Sequence, residues 1–426
     1  MRKMQSIKPT RLLFAGIWAV AFVWGATAAF ERLTLGDQLT NLTSYVPWGL
    51  WVAGYIYFIG LSAGAFLLSS LAYGLGVKRL EPVGKFALFT AIVTLFMALL
   101  GIWFDIGHPF RALEIFSRPQ FNSMMAWMVW LYAAYFILLL TELGFAFRVD
   151  YPNWAGSGSV KRLLSRVLLL GQGAQQPATL KRDRQVLKTL AVIGIPLAVA
   201  FHGGVGALFA TVAAQEVWHS SLFPILFLVG ALFSGGALLT SLVSFFWRSK
   251  DAQWHDIVVY LGRVTLALAL VYGLLEWSEY SIPLWYGVGD VRDIQALSAI
   301  LFGQYWYVFW VFQIALGLAV PILLLLLFSR RPLAIGVAGA VVSFTFIGVR
   351  LNFVVPAFVA PQLQGLSAAY LDPRLVFEYL PSLFEWQLVF FVVTLGLGLL
   401  YVGNRLLPLA GAVASDTKGM EGDSPA

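Results

Sequence analysis

The sequence predicts an all-α integral membrane protein with about ten transmembrane helices, and its composition is the first reason. Of the 426 residues, 60% are hydrophobic and only 12% are charged, whereas a soluble globular protein carries roughly 25% charged residues. The mean hydropathy is +0.80. Because one spanning helix needs about 20 apolar residues, the chain can supply about ten spans. This composition excludes a soluble enzyme, a disordered chain and a disulfide-rich secreted domain.

The second reason is that the apolar residues fall into ten runs, separated by polar or proline-containing segments. These runs cover residues 11–30, 48–75, 84–104, 124–147, 187–213, 223–247, 255–277, 303–329, 333–350 and 383–406. The first run is too long for the apolar part of a cleavable signal peptide, so we expect a retained helix. The chain then divides into 1–147 (spans one to four), a basic loop 148–186, 187–350 (spans five to nine), 351–408 (an outer loop and span ten) and a polar tail 409–426.

The positions of the positive charges indicate the topology. If the N-terminus is cytoplasmic, 21 of the 28 Lys and Arg residues fall in cytoplasmic segments, six lie outside, and Arg263 lies within a span. Because Lys and Arg accumulate in cytoplasmic loops, we expect both termini and the loop 148–186 to be cytoplasmic. The formal net charge of +7 then reflects topology and not affinity for nucleic acid.

The cysteine and histidine counts limit the redox chemistry of the chain itself. With no cysteine, it cannot form a Cys-ligated iron–sulfur cluster, a c-type haem attachment or a thiol redox pair. The four histidines, His108, His202, His219 and His255, leave little room for the paired ligands of b-haem. If the protein handles electrons, we expect the metal centres in another subunit or an organic carrier of electrons.

An internal repeat predicts two related four-helix bundles. Residues 62–69 (Ser-Ala-Gly-Ala-Phe-Leu-Leu-Ser) align with residues 234–241 (Ser-Gly-Gly-Ala-Leu-Leu-Thr-Ser) at a constant offset of 172. Both stretches lie in spans that run from outside to inside, so the repeat is parallel. It predicts bundles of spans two to five and six to nine, with spans one and ten peripheral. The alternative is that small residues recur wherever membrane helices pack closely.

The most informative polar stretch follows span three. It reads Asp105-Ile106-Gly107-His108-Pro109-Phe110-Arg111, and residues 117–124 (Ser-Arg-Pro-Gln-Phe-Asn-Ser-Met) come soon after. An Asp, a His and an Arg within seven residues could bind and deprotonate a polar headgroup at the membrane surface, because ionisable residues at the bilayer are costly and usually functional. The alternative is an ordinary polar loop with a proline turn and an Asp–Arg pair.

These motifs resemble the polysulfide-reductase (NrfD/PsrC-type) family of membrane subunits. The stretch 105–111 is similar to that family's signature of Asp, a hydrophobic residue, Gly, Arg or His, Pro, any residue and Arg, and residues 60–66 resemble its small-residue motif. The second half is similar to the longer, ten-helix branch, which includes the hydrogenase-2-type membrane subunits. Its matching stretches are residues 201–209, 218–224, 349–352 with Val355-Pro356, and 379–386.

The resemblance implies a membrane anchor that exchanges electrons with menaquinone or ubiquinone, without haem or an iron–sulfur cluster of its own. It implies a ferredoxin-like iron–sulfur subunit docked on the outer face and, through it, a molybdopterin or hydrogenase catalytic subunit. It also implies a multi-pass protein of a bacterial or archaeal cytoplasmic membrane. Two departures stand out, because His108 replaces the more usual Arg of the motif and Gln313 occupies a position where relatives often have an acid.

Quinone chemistry requires hydrogen-bond partners for two carbonyl oxygens and a group that exchanges protons. At about 1.5 Å rise per residue, His202 lies about 22 Å along span five, in the outer half. We therefore predict His202 and Asp105 at the quinone head, with His108 and Arg111 supporting them or admitting protons. For His202, a hydrogen bond between helices is the structural alternative.

Further ionisable residues are candidates for proton transfer: Glu142, Arg263, Glu276, Arg350 and Glu385. Arg263 could instead extend its side chain to the membrane surface or pair with a polar neighbour. Two other functions remain open. A secondary transporter would commonly show inverted repeats, which this parallel repeat does not match. A purely structural anchor for an oxidoreductase would bind quinone only as a lipid.

Overall fold

Ten long helices form the protein. The computed structural model describes residues 9–149, 177–247, 249–286, 291–363, 365–370 and 372–409, and this part of the chain contains no β-strand. The helices are α1 (Pro9–Leu35), α2 (Leu50–Tyr73), α3 (Glu81–Asp105), α4 (Met124–Val149), α5 (Pro177–Ala210), α6 (Phe223–Phe246), α7 (Ala252–Tyr286), α8 (Val308–Leu327), α9 (Pro332–Val354) and α10 (Leu383–Leu406). All ten contain a segment long and apolar enough to cross a membrane. The predicted fold class is confirmed.

Several helix boundaries differ from the predicted spans; α7, for example, continues to Tyr286 and not to residue 277. α5 begins at Pro177 and not at 187, because residues 179–188 are mostly helix-forming Leu, Lys, Arg and Gln that continue the helix beyond its apolar part. α8 begins at Val308, in π-helical geometry as far as Ala319. α9 continues past Arg350 to Val354, because that arginine is buried by packing and does not mark a membrane surface. The predicted amphipathic piece at 160–170 and the tail from residue 410 lie outside the described residues.

The helices pack as two groups of four. In the first, α2 packs on α3 and α5, and α4 packs on α3 and α5. In the second, α6 packs on α7 and α9, and α8 packs on α9 and α7. α2 and α6 join the groups, with further contacts from α5 to α6 and from α2 to α9. α10 packs on α1 and on α3, and both α1 and α10 lie at the periphery of the first group.

The repeated small-residue stretches form the contact between the two groups. A Cβ built on Gly64 would lie 2.1 Å from the carbonyl oxygen of Ala231 and 2.8 Å from the Cα of Gly235. A Cβ built on Gly235 would lie 2.6 Å from the Cα of Gly64. α2 and α6 therefore touch backbone to backbone. This is the close packing that small residues permit between membrane helices.

The ten helices alternate between two faces, which we name by a residue on each. The His108 face carries the segments between α1 and α2, α3 and α4, α5 and α6, α7 and α8, and α9 and α10, with a helix at Val291–Leu301 and several shorter turns. The Lys78 face carries the other connections and both ends of the described chain. At the His108 face, α10 begins with a capping box in which Ser382 and Glu385 each bond the other's backbone N–H, and this fixes where the Glu385 carboxylate lies.

Candidate functional site

A buried arginine joins three segments at the His108 face. Arg32, near the end of α1, is only 2% exposed. Its Nε donates to the carbonyl of Phe104 at 2.7 Å and its Nη2 to that of Ile106 at 3.1 Å, which tethers the end of α3. Gly36 has a φ of 68°, a conformation that favours glycine. This turn brings Asp37 back to Arg32. The two side chains form a salt bridge, with 2.9 Å between Asp37 Oδ1 and Arg32 Nη2.

Asp105, the last residue of α3, lies beside this arginine. Its side chain is partly buried and interacts electrostatically with Arg32, Asp37 and Glu385. We call Arg32, Asp37, Asp105 and Glu385 the Asp105 cluster. It gathers one cation and three carboxyl groups from α1, α3, α10 and the turn after α1. Such a group of mutually interacting ionisable residues at a membrane surface can bind a polar head and exchange protons with it.

Glu385 is held in place by several donors. One carboxylate oxygen, Oε1, accepts a hydrogen bond from the Tyr379 hydroxyl, and Oε2 accepts from the backbone N–H groups of Ser382 at 2.8 Å and Asn41 at 3.2 Å. Burial, together with the Glu385 carboxylate, raises the pKa of Tyr379 above its ordinary value. The Tyr379 hydroxyl therefore keeps its proton and serves as a fixed donor to Glu385.

A narrow apolar cleft runs up to the Asp105 cluster between α2, α3 and α10. It is lined by Trp51, Gly54, Tyr55, Phe58, Gly101, Leu388, Val389 and Val392. Gly101 and Asp105 are four residues apart on α3, so they share a helix face. At the end of the cleft nearest the His108 face, the Trp51 indole donates to the backbone carbonyl of Glu385 at 3.1 Å. The Arg32 guanidinium lies 5.6 Å from the centre of the Trp51 ring. The cleft volume is about 10 Å³, so a ring enters only when the lining side chains move.

Tyr55 brings a hydroxyl group to the cleft. It forms a hydrogen bond with the hydroxyl of Tyr132 on α4. The Tyr132 ring in turn packs edge-on against Phe201 of α5 with 4.4 Å between ring centres. The pair thus connects the cleft to the interior of the first helix group, and each hydroxyl can both donate and accept a hydrogen bond.

His108 and Arg111 lie on the other side of the Asp105 cluster, toward water. Both side chains are exposed. They line a surface cavity of about 330 Å³ together with Arg32, Gly36 and Phe110. The structure therefore places these two predicted residues next to the cluster but outside the apolar cleft.

His202 does not join them. It is 0% exposed within α5, it interacts electrostatically with Arg350 of α9, and it does not line the cleft. The sequence predicts that His202 and Asp105 lie together at one quinone head. The structure does not bring these two residues together. The position of each residue along its helix indicated its depth in the membrane. The rotation of α5 about its axis, however, directs His202 toward the second helix group.

The second helix group contains its own buried polar network. Glu276 of α7 accepts hydrogen bonds from the Tyr272 hydroxyl and from Gln313 Nε2, the latter at 2.6 Å, and Gln313 Oε1 accepts from Asn352 Nδ2 at 3.1 Å. Arg350 is 2% exposed. Gln313, which departs from the resemblance, is thus the residue that connects α7 to α9.

The other two candidates for proton transfer differ in their surroundings. Glu142 of α4 is 0% exposed, and neither carboxylate oxygen has a hydrogen-bond partner among the described residues. Arg263 is exposed on the outside of α7, so it faces the surroundings of the protein and does not line the helix interior. This arrangement fits the alternative in which the arginine extends toward the membrane surface.

Sequence reasoning missed three residues that the structure places at the site: Arg32, Tyr55 and Tyr379. In the sequence, Arg32 is only one of the six positive residues outside the cytoplasmic segments. Its position directly after an apolar run is the signal that could have identified it. Tyr55 lies four residues after Trp51, a spacing that places both on one helix face. Tyr379 begins the stretch 379–386 that resembles the family, but that stretch did not reveal its role. The role depends on Glu385 and on the start of α2, where the Tyr379 hydroxyl accepts the N–H of Leu50 at 2.8 Å.

These features define a multi-pass helical membrane protein with an apolar cleft beside a partly buried cluster of ionisable groups. Among the described residues, no group of three or more His, Cys, Asp or Glu side chains is placed to hold a metal ion. Residues 38–362 match the family described as Polysulphide reductase, NrfD. The chain belongs to this family.

Relatives with assigned names are similar over most of their length. The chain is 39% identical to a selenate reductase subunit of Mesobacillus selenatarsenatis, over 88% of this chain and 89% of that protein. It is 29% identical to a putative dimethyl sulfoxide reductase membrane subunit of Halobacterium salinarum, over 96% and 93%. It is 27% identical to an Hdr-like menaquinol oxidoreductase integral membrane subunit of Archaeoglobus fulgidus, over 87% of both chains.

Proposed function

We propose that the protein is the membrane anchor and quinone-binding subunit of a respiratory oxidoreductase, exchanging electrons between the quinone pool and an iron–sulfur subunit. The observation that carries this proposal is the apolar cleft, whose lining residue Trp51 contacts Arg32 and the Glu385 backbone of the Asp105 cluster. An isoprenoid quinone combines an apolar tail with a polar, protonatable head, and the cleft and the cluster match those two parts. The names of the relatives support the assignment and favour menaquinone over ubiquinone.

The residues at the head of the cleft have separable roles. A bound quinone supplies two carbonyl oxygens and a two-electron, two-proton reaction. The Tyr55 hydroxyl can donate a hydrogen bond to one carbonyl, and the Asp105 carboxyl can exchange a proton at the other. Arg32 holds the end of α3, and therefore Asp105, through its bonds to the carbonyls of Phe104 and Ile106.

On the water side, His108 and Arg111 complete the site. His108 is exposed at the mouth of the cavity beside Arg32, and histidine side chains commonly shuttle protons. It can therefore pass protons between water and the Asp105 cluster. Arg111 contributes positive charge at the same mouth. We assign His202 to the interior and not to the quinone head, and we keep Glu142, Glu276 and Arg350 as candidates for moving protons within the helix groups.

The iron–sulfur subunit belongs on the His108 face. Electron transfer requires a cluster close to the quinone head, and this cysteine-free chain provides none. We propose a ferredoxin-like subunit docked over the segments 106–123 and 291–307, with a molybdopterin or hydrogenase catalytic subunit beyond it. The Lys78 face, which carries most of the Lys and Arg residues, then faces the cytoplasm of a bacterium or archaeon.

Filling the cleft tests quinone binding directly. A Cβ on Gly101 would meet no atom within 4 Å, so Gly101→Leu should fold and place its side chain in the cleft. We expect the purified variant to retain at most about one tenth of the parental amount of menaquinone. This loss corresponds to about 1.4 kcal/mol of binding free energy. The measurement is extraction and chromatography of quinone from the purified complex.

The matched control is Gly16→Leu on α1. Gly16 also has no atom within 4 Å of its Cβ position and does not line the cleft. It should retain quinone at the parental level. If Gly101→Leu retains as much quinone as Gly16→Leu, the cleft is not the binding site.

The orientation in the membrane can be tested because the native chain has no cysteine. Leu363, between α9 and α10, and Leu75, after α2, are 67% and 63% exposed, and Leu363 lies outside the proposed docking segments. In intact cells with a permeabilised outer envelope, a membrane-impermeant maleimide should label Leu363→Cys. It should label Leu75→Cys only after the cytoplasmic membrane is opened. The reverse pattern would place the His108 face in the cytoplasm and contradict the proposed orientation.

A further inference from the structure

Two buried side chains between the helix groups present polar atoms without protein partners. Both ring nitrogens of His202 and the Nε and Nη2 nitrogens of Arg350 lack a hydrogen-bond partner among the described residues. The two side chains are 0% and 2% exposed and interact electrostatically. They come from α5 in the first group and α9 in the second.

Glycines let the backbones of two helices approach the arginine head closely. A Cβ on Gly60 of α2 would lie 3.8 Å from Arg350 Nη2, and a Cβ on Gly230 of α6 would lie 3.2 Å from the same atom. The guanidinium therefore lies where α2, α6 and α9 approach one another. At both glycine positions, the backbone faces Nη2 without an intervening side chain.

The aromatic neighbours of Arg350 do not satisfy its N–H groups. Its guanidinium carbon lies 4.4 Å from the ring centre of Phe227 and 5.1 Å from that of Phe346. Such contacts stabilise the positive charge, but they do not replace hydrogen-bond acceptors for the N–H groups. An unmade hydrogen bond at a buried charged group is costly, so acceptors are expected close to Nε and Nη2.

Aromatic rings cover the region around Arg350 on the side of the His108 face. Trp48, Phe209, Trp218, Phe353 and Phe358, which we call the aromatic cap, pack on one another with ring centres 4.9–6.1 Å apart. The Phe353 ring also packs against that of Phe227, with 4.7 Å between ring centres. Phe227 is the ring that the Arg350 guanidinium contacts. The acceptors for Arg350 must therefore be internal to the protein and not bulk water from this face.

We propose that one or more internal water molecules bridge the His202 ring and the Arg350 guanidinium, forming a hydrated link between the two helix groups. Water suits this place because it can accept from Arg350 N–H groups and either donate to or accept from an imidazole nitrogen. A buried water typically makes about three hydrogen bonds. Arg350 also interacts electrostatically with Glu276, so a carboxyl group of the chain itself is available to offset its charge.

The link would extend the Glu276 network to the first helix group. Glu276, Gln313 and Asn352 are joined by direct hydrogen bonds, and Arg350 contacts this network electrostatically. His202, at the other end, belongs to α5. The water site goes beyond the quinone function, because none of its residues lines the cleft.

The direct test is a cryo-electron microscopy structure of the intact complex at a resolution that shows ordered water. We expect density within hydrogen-bond distance of both a His202 ring nitrogen and Arg350 Nε or Nη2. Direct protein partners for these atoms, with no such density, would overturn the proposal. The complex should also melt at the same temperature in chloride and in gluconate buffer. Stabilisation by chloride alone would indicate an anion site and contradict a water site.

A double-mutant cycle on thermal stability gives a second test that does not depend on quinone. If water connects His202 to the Glu276 network, His202→Leu and Glu276→Gln disturb the same link. The combined drop in apparent melting temperature should then fall short of the sum of the single drops by about 2 °C or more. Thr265→Val, which removes a buried hydroxyl bonded to Thr240 at 3.0 Å, is the matched control and should add to His202→Leu. Additive losses for His202→Leu with Glu276→Gln would refute the link.

Discussion

Replacing Asp105 by Asn should reduce quinone-linked turnover of the complex by about 10²–10⁴-fold, the usual contribution of a positioned proton-transfer group. Asn keeps the size of the side chain and part of its hydrogen bonding but cannot take up or release the proton. Asp105 is the group through which the cleft meets Arg32, Asp37 and Glu385. The loss should therefore appear in turnover with quinol or quinone, measured on purified complex in liposomes.

The same variant should leave dye-linked activity intact. Artificial dyes exchange electrons with the metal centres of the partner subunits and do not require proton exchange in this chain. Asp372→Asn is the matched control, because Asp372 is an exposed acid on the same face and lies outside both the Asp105 cluster and the proposed docking segments. Parental quinone turnover in an assembled Asp105→Asn complex would contradict the proposed site. That result would favour a site in the second helix group, around Glu276 and Arg350.

The largest expected effect on folding is at Gly64. In Gly64→Ala the new Cβ would lie 2.1 Å from the Ala231 carbonyl oxygen and 2.8 Å from the Gly235 Cα. These are backbone atoms, so no side chain can rotate away and α2 must separate from α6. Overpacking a tight interior typically costs about 1–3 kcal/mol, and occasionally more. With backbone on both sides we expect about 3 kcal/mol, seen as a lower melting temperature and less folded protein after extraction.

Gly236→Ala provides the matched control at the equivalent position of the repeat. The nearest atoms to its Cβ position are the side-chain methyls of Leu268 and Leu68 at 3.8 Å, which is ordinary contact. Because Ala is favoured over Gly in helices by about 1 kcal/mol, this variant should be neutral or stabilising. Equal stability of the two variants would show that the Gly64 contact does not hold the helix groups together.

Much of the architecture could be predicted because it depends on local properties of the chain. The number of spans follows from composition and the lengths of the apolar runs, and each predicted span overlaps one observed helix. The predictions failed at places where a helix continues without an apolar signal, as at residues 177–186, or where a charge is buried by neighbours, as at Arg350. Asp105 and Glu385 could be identified individually, because charged residues near membrane helices are rare.

The fold class, the small-residue stretches, the absence of cysteine and the set of ionisable residues from which a site could be built all follow from the sequence alone. Which of these residues meet is a property of the packed helices: Arg32 with Asp105, Tyr55 with the cleft, and His202 with Arg350. Contacts between helices depend on the rotation and depth of each helix. Those are fixed by packing between distant segments, such as the backbone contact of Gly64 with Gly235, and not by the spacing of residues along one helix.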